Sequence, residues 1–139
     1  MTAAPTLRGV RADEIMAFWS EIAPLIEKLT ARTGGRFRAV DLAKAVIARD
    51  IQLWAALDDG HVSAIATTEI INYPQRRIGR FLATSGEDIE RWIGHVGAIE
   101  EWARQNGCTA MEAVARKGLE RVMKPHGWTC THIVLEKDL

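Results

Sequence analysis

SGEDIERWIGHVGAIEEWARQNGCTAMEAVARKGLERVMKPHGWTCTHIVLEKDL, residues Ser85 to Leu139, changes its hydrophobic period three times. Ile89, Trp92, Ile93, Val96, Ile99, Trp102 and Ala103 recur at helical spacing from Ser85 onward, and Asn106-Gly107 supplies a C-terminal stop. Ser85 followed by Asp88 resembles a capping box, with Asp in place of Glu or Gln. Thr109 to Val114 then reads as a strand. Lys117 to Lys124 reads as a short helix turning Leu119, Val122 and Met123 inward, and Thr129 to Glu136 as a last strand.

Upstream, Thr6 to Val10 is a strand candidate. From Ala12 onward Ile15, Phe18, Trp19, Ile22, Leu25, Ile26 and Leu29 repeat as one helix face, with Pro24 expected to kink or split it. Thr33-Gly34-Gly35 ends that helix, and a second from about Val40 to Arg49 carries Leu42, Val46 and Ile47 on one side. Ile51 to Leu57 alternates, Asp58-Asp59-Gly60 turns, and Val62 to Tyr73 is β-rich, which makes a hairpin. After Tyr73-Pro74-Gln75, Ile78, Arg80 and Leu82 alternate with Gly79, Phe81 and Ala83 in a third antiparallel strand.

The order β, α, α, β, β, β, α, β, α, β predicts an α+β domain whose mixed, mostly antiparallel sheet has about six strands flanked by about four helices. A chain of 139 residues fits one domain spanning 1–139. Eighteen basic and 18 acidic side chains balance, so nucleic acid is not indicated, and the cluster Arg76, Arg77, Arg80 reads as a solvated strand end. No run approaches the roughly 20 apolar residues that cross a bilayer, and Met1 to Thr6 lacks a signal-peptide pattern. Two cysteines, Cys108 and Cys130, fit a reducing compartment, so the expected location is cytoplasmic, or the virion if the chain is phage-encoded.

Three pieces of the chain resemble the GCN5-related N-acetyltransferases. Leu53-Trp54-Ala55-Ala56-Leu57-Asp58-Asp59-Gly60-His61-Val62-Ser63-Ala64 is similar to that family's hairpin, and Ile99 through Gly107-Cys108 to its coenzyme-side helix. Met123-Lys124-Pro125-His126-Gly127-Trp128 stands where the family commonly has Tyr, Glu, Lys, Leu, Gly, Phe. The resemblance implies a GNAT-like fold over nearly the whole chain. It also implies a coenzyme A loop near Ser85 to Ile93, with backbone N–H groups of Ala83, Thr84, Ser85 and Gly86 along a pantetheine arm and Arg91 at a phosphate.

Three places depart from that pattern. Glu87, Asp88 and Glu90 put carboxylates where basic and glycine residues normally cradle a pyrophosphate, which they would repel. Met123 replaces the tyrosine that commonly protonates the departing thiolate, and Arg116 falls where an asparagine often stands. The candidate general base is Glu69, with Glu112 as a second strand carboxylate.

Other chemistries are weaker in the sequence. His126, Cys130 and His132, with Cys108, do not have a standard zinc spacing, so no metal is expected. Neither cysteine has the elbow or anion nest of a nucleophile. Of five tryptophans, Trp54 and Trp102 are the candidates for a protein partner or self-association. The expectation is therefore a non-catalytic structural or accessory protein, similar to small acyltransferase-fold proteins of bacteriophages and prophages, with no cofactor. The alternative is an active acetyl-CoA-dependent N-acetyltransferase with a non-standard coenzyme site.

Overall fold

Residues 6–86, 89–115 and 117–139 are described by the computed structural model of the chain. Five strands, β1 (Thr6–Val10), β2 (Gln52–Asp58), β3 (His61–Asn72), β4 (Arg77–Gly86) and β5 (Ala110–Ala113), form one sheet in chain order. The first four are antiparallel neighbours, and β5 lies parallel to β4. The β2–β3 loop is the two-residue Asp59-Gly60, both at positive φ (51° and 79°), which matches the twist of its strands.

Helices α1 (Trp19–Ala31) and α2 (Ala39–Ile47) cover one face. Ile22, Ile26 and Leu29 of α1 and Leu42 and Val46 of α2 bury against Leu53, Ala55 and Ile65. The opposite face carries α3 (Ile89–Trp92), α4 (Gly97–Gln105) and α5 (Lys117–Met123), whose Trp92, Ile99 and Met123 pack with Trp54, Ala66 and Phe81. Both faces of the central strands are covered, so β2 and β3 are buried almost without alternation.

The structure changes several of the sequence expectations. Residues 12–18 run as successive i→i+3 turns (Glu14 to Arg11, Ala17 to Glu14, Trp19 to Met16), and regular helix begins only at Trp19. Pro24 has no N–H to offer Ser20, which weakens winding toward the N-terminal side. The long helix expected from Ser85 is two helices separated by a 3₁₀ turn, Ile93–His95, with exposed Gly94 and Gly97 at the break. Ser85 ends inside β4, so it is no helix cap, and Asp88 lies outside the described residues. Among the described residues the strand expected at Thr129 to Glu136 joins no ladder, and the sheet has five strands. Among the described residues no helix is long and apolar enough to cross a membrane.

Trp54 does not offer a partner surface: it is 7% exposed, and its indole N–H donates to Thr68 Oγ1 at 2.9 Å. Half-buried Trp102 stacks edge-on against it at 5.7 Å. The face of β2 opposite Leu53 is a second core, because helices cover it too.

Gly86 closes β4 at φ +125°, where a Cβ would meet Ala64 Cα at 2.5 Å and the Ser63 carbonyl at 2.6 Å. Gly86→Ala should destabilise the fold by about 1–3 kcal/mol through backbone strain and overpacking, lowering the melting temperature by roughly 2–4 °C per kcal/mol. Thermal unfolding followed by circular dichroism reads the shift, and an unchanged melting temperature would refute the close approach.

Candidate active site at the β4–β5 fork

The ladder between β4 and β5 is short. It runs from Ile78↔Ala110 to Phe81↔Ala113 and stops, while β4 continues to Gly86. One residue past the last pair, the register with β3 shifts: Thr68 faces Phe81 but Thr67 faces Ala83, so Leu82 is an inserted bulge residue. A bulge bends its strand and sharpens its twist. Here it turns β4 aside where β5 ends, and the two strands form a fork. Beyond it, residues 83–86 are paired to β3 on one side only, so alternate N–H and C=O groups face the gap.

The bulge also reassigns faces. Phe81 packs into the α3–α5 core, whereas Leu82 and Ala83 both pack toward α1 and α2. Ser85, opposite Ile65, is 3% exposed, and its Oγ has no hydrogen-bond partner. A buried hydroxyl without a partner is uncommon. Of the residues expected along a coenzyme arm, the structure thus gathers Ala83, Thr84, Ser85 and Gly86 on one unpaired strand edge.

Arg91 is placed differently. Its Nη1 donates to Asp58 Oδ2 at 2.8 Å, across the end of β2, so its charge is already matched. Arg121 of α5, which sequence reasoning passed over, comes within 3.9 Å of Glu90 and is 84% exposed. Nothing in its spacing marks it, because only the packing of α5 beside α3 brings it to this end of the fork. Glu87 and Asp88 lie outside the described residues, as does Arg116. Met123 is 5% exposed in the core, where a thioether packs well and donates no proton.

One residue before the fork, Arg80 of β4 joins two carboxylates from neighbouring strands. Glu112 of β5 accepts from Arg80 Nε at 2.8 Å and from the Tyr73 hydroxyl at 3.0 Å, and Nη2 approaches it to 2.6 Å. Glu69 of β3 lies 3.8 Å from Arg80 Nη1. Partial burial opposes the Glu112 charge, but the hydrogen bonds from Arg80 and Tyr73 and the guanidinium's field outweigh it, and the carboxyl is held below its ordinary 4.5. Glu69 and Glu112, separate strand carboxylates in the sequence, are thus brought together by register. Beside them Tyr73, Pro74, Gln75, Arg76, Ile78, Glu112 and His132 line an open cleft of about 510 Å³.

The cysteine and histidine pattern does not converge. Cys108 is buried and Cys130 exposed, and among the described residues no three His, Cys, Asp or Glu side chains are grouped to hold a metal.

No family model matches the chain, and no curated protein is similar to it in sequence. Its fold is nonetheless shared with solved acetyltransferases. An aminoglycoside N-acetyltransferase in complex with coenzyme A superposes with a TM-score of 0.74 at 14% identity, over 100% of this chain and 96% of that one. A protein from Clostridium acetobutylicum described as a predicted acetyltransferase, solved with acetyl-CoA, gives 0.63 at 19% identity, over 96% of both. A GNAT family acetyltransferase from Staphylococcus aureus gives 0.65 at 13% identity, over 99% of this chain and 100% of that one. The chain has the GNAT-type acetyltransferase fold.

Because the folded pKa of Glu112 lies below 4.5, its charge stabilises the fold above about pH 4.5, and that contribution fades as the pH falls through the lowered value. Glu112→Gln should therefore melt below wild type at neutral pH, with the difference closing in acid. A gap that stays constant across the acid range would mean the Arg80 and Tyr73 contacts do not favour the charged form.

Proposed function

We propose that the chain is an acyl-CoA-dependent N-acyltransferase whose reaction centre is the β4–β5 fork. The observation that carries this reading is the coincidence of the Leu82 bulge with the last β4–β5 pair, which leaves residues 83–86 with one strand edge unpaired. The solved structures that share the fold support it, since two of them were obtained with coenzyme A or acetyl-CoA.

The chain's residues fit the arm of such a coenzyme better than its diphosphate. Backbone groups of residues 83–86 offer a pantetheine amide the ladder bonds that β5 does not supply. At the diphosphate end Arg91 is engaged by Asp58, and exposed Arg121 is the more available cation. When bound, acetyl-CoA supplies an activated acyl thioester. Glu69 is the proposed base. Its carboxylate is held only by the 3.8 Å ion pair, whereas that of Glu112 is occupied by Arg80 and Tyr73. Glu69 takes the proton from the acceptor nitrogen as the new C–N bond forms, and the C–S bonding pair leaves with sulfur. Arg80 and Glu112 hold Glu69 in register and are positioning residues.

A second reading, a non-catalytic structural or accessory protein of the same fold, is favoured by Met123 in the core and by Glu90 near the expected diphosphate. The acetyltransferase neighbours weigh toward the enzyme, and one measurement separates the two. Acetyl-CoA at 100 times its dissociation constant should raise stability by about 2.7 kcal/mol. Thiol release with a panel of primary amines should fall by roughly 10²–10⁴ in Glu69→Gln with the thermal shift retained. No thermal shift at millimolar acetyl-CoA would refute the enzyme and leave the structural reading.

A further inference from the structure

The cleft beside Glu112 combines apolar surface with cations. Tyr73, Pro74 and Ile78 supply the apolar part, and Arg76, Glu112 and His132 are the ionisable groups that line it. Glu112 brings little free charge, since Arg80 and the Tyr73 hydroxyl hold its carboxylate. Arg76 is different. Among the described residues its side chain makes one hydrogen bond, a long 3.4 Å contact from Nε to Thr109 Oγ1, and no ion pair. That contact carries the guanidinium from the β3–β4 turn across to the start of β5. His132 bonds through Nδ1 to the neighbouring Thr131 hydroxyl at 2.8 Å, which leaves Nε2 unengaged among the described residues.

The cleft is also continuous with the proposed reaction centre. Arg80 stands between Glu112, which lines the cleft, and Glu69, and strand pairing puts all three on one face of the sheet. From Arg80 back to Arg76 the chain runs four residues, roughly 13 Å at about 3.3 Å each. An extended tripeptide spans roughly 10 Å, and the length of the arginine side chain covers the remainder. The charges at the two ends differ in sign: carboxylates at Glu69 and Glu112, an unpaired guanidinium at Arg76.

Resting on the acyltransferase reading, we propose that this cleft is the acceptor subsite and takes a peptide-sized primary amine with a carboxylate at its far end. Arg76 and His132 bind that carboxylate, an apolar side chain lies on Tyr73, Pro74 and Ile78, and the amine reaches Glu69. A guanidinium donates to a carboxylate through a two-bond fork, so it fixes the orientation of the far end as well as neutralising its charge. The opposite charges of cleft and ligand then match end to end, which sets the direction of binding.

Titration calorimetry with the tripeptide Ala-Ala-Phe and with its C-terminal amide tests the subsite without turnover, because the two differ only in the far-end charge. The free acid should bind roughly ten-fold more tightly. Arg76→Gln should remove that preference with the melting temperature unchanged, since the side chain is exposed, and His132→Ala should reduce it. In thiol release from acetyl-CoA the same preference should appear in KM, with kcat equal for the two peptides. Equal binding of acid and amide, binding of neither at millimolar concentration, or a preference that survives Arg76→Gln would overturn the subsite. An intact preference with neither a thermal shift nor thiol release from acetyl-CoA would refute the acyltransferase reading alone and leave the cleft as a carboxylate site.

Discussion

A single inserted residue governs what this sheet can do. Without Leu82 the register of β4 against β3 would run unbroken, and β4 would have no reason to leave β5 at Phe81. With it, the strand bends at the point where its parallel partner ends, and the sheet opens between β4 and its edge strand β5. The bulge also sends Leu82 and Ala83 to one face, so the walls of the opening belong to both cores. Those cores hold the fork rigid. The helices α1 and α2 bury one face, and α3, α4 and α5 the other, so the unpaired edge of residues 83–86 is fixed by packing.

The charged cluster sits one residue behind that opening and depends on it. Arg80, Glu112 and Glu69 meet because the short parallel ladder aligns Arg80 with Glu112 while the antiparallel one aligns Arg80 with Glu69. One cation between two carboxylates cannot satisfy both equally. It binds Glu112 closely, with Tyr73 assisting, and leaves Glu69 at ion-pair distance. Partial burial makes that asymmetry matter, since screening by water is reduced where the groups are about a quarter exposed. The result is one carboxylate held by short hydrogen bonds and one held only at ion-pair distance.

Much of this architecture was legible in the sequence. The Asp59-Gly60 turn, the alternation of β2 to β4 and the inward stripes of α1 and α2 follow from local periodicity and turn chemistry. The bulge was not legible, because it exists only as a mismatch between two strands and neither strand carries a mark of it. Trp54 was misjudged for a related reason: facing away from Leu53 implies solvent only where one face of a sheet is bare. The break near Ile93 had a signal, the pair Gly94 and Gly97, each costly inside a helix. The engagement of Arg91 by Asp58 and the approach of Arg121 to Glu90 are tertiary facts, set by how α3 and α5 sit on the sheet.

The terminal segment shows the limit of propensity most clearly. Thr129 to Glu136 has the β-branched content of a strand, yet strand preference is largely a preference for a pleated, half-buried surroundings, and a segment without a neighbour gains none of it. Here the neighbour would be β5, only four residues long and followed at once by an exposed Val114. A short edge offers few ladder bonds against the entropy of ordering eight or more tail residues, about 1–2 kcal/mol each. Anchors at Phe81 and Arg36 fix the ends of the segment without burying its middle. The apolar run therefore stays in water in the single chain.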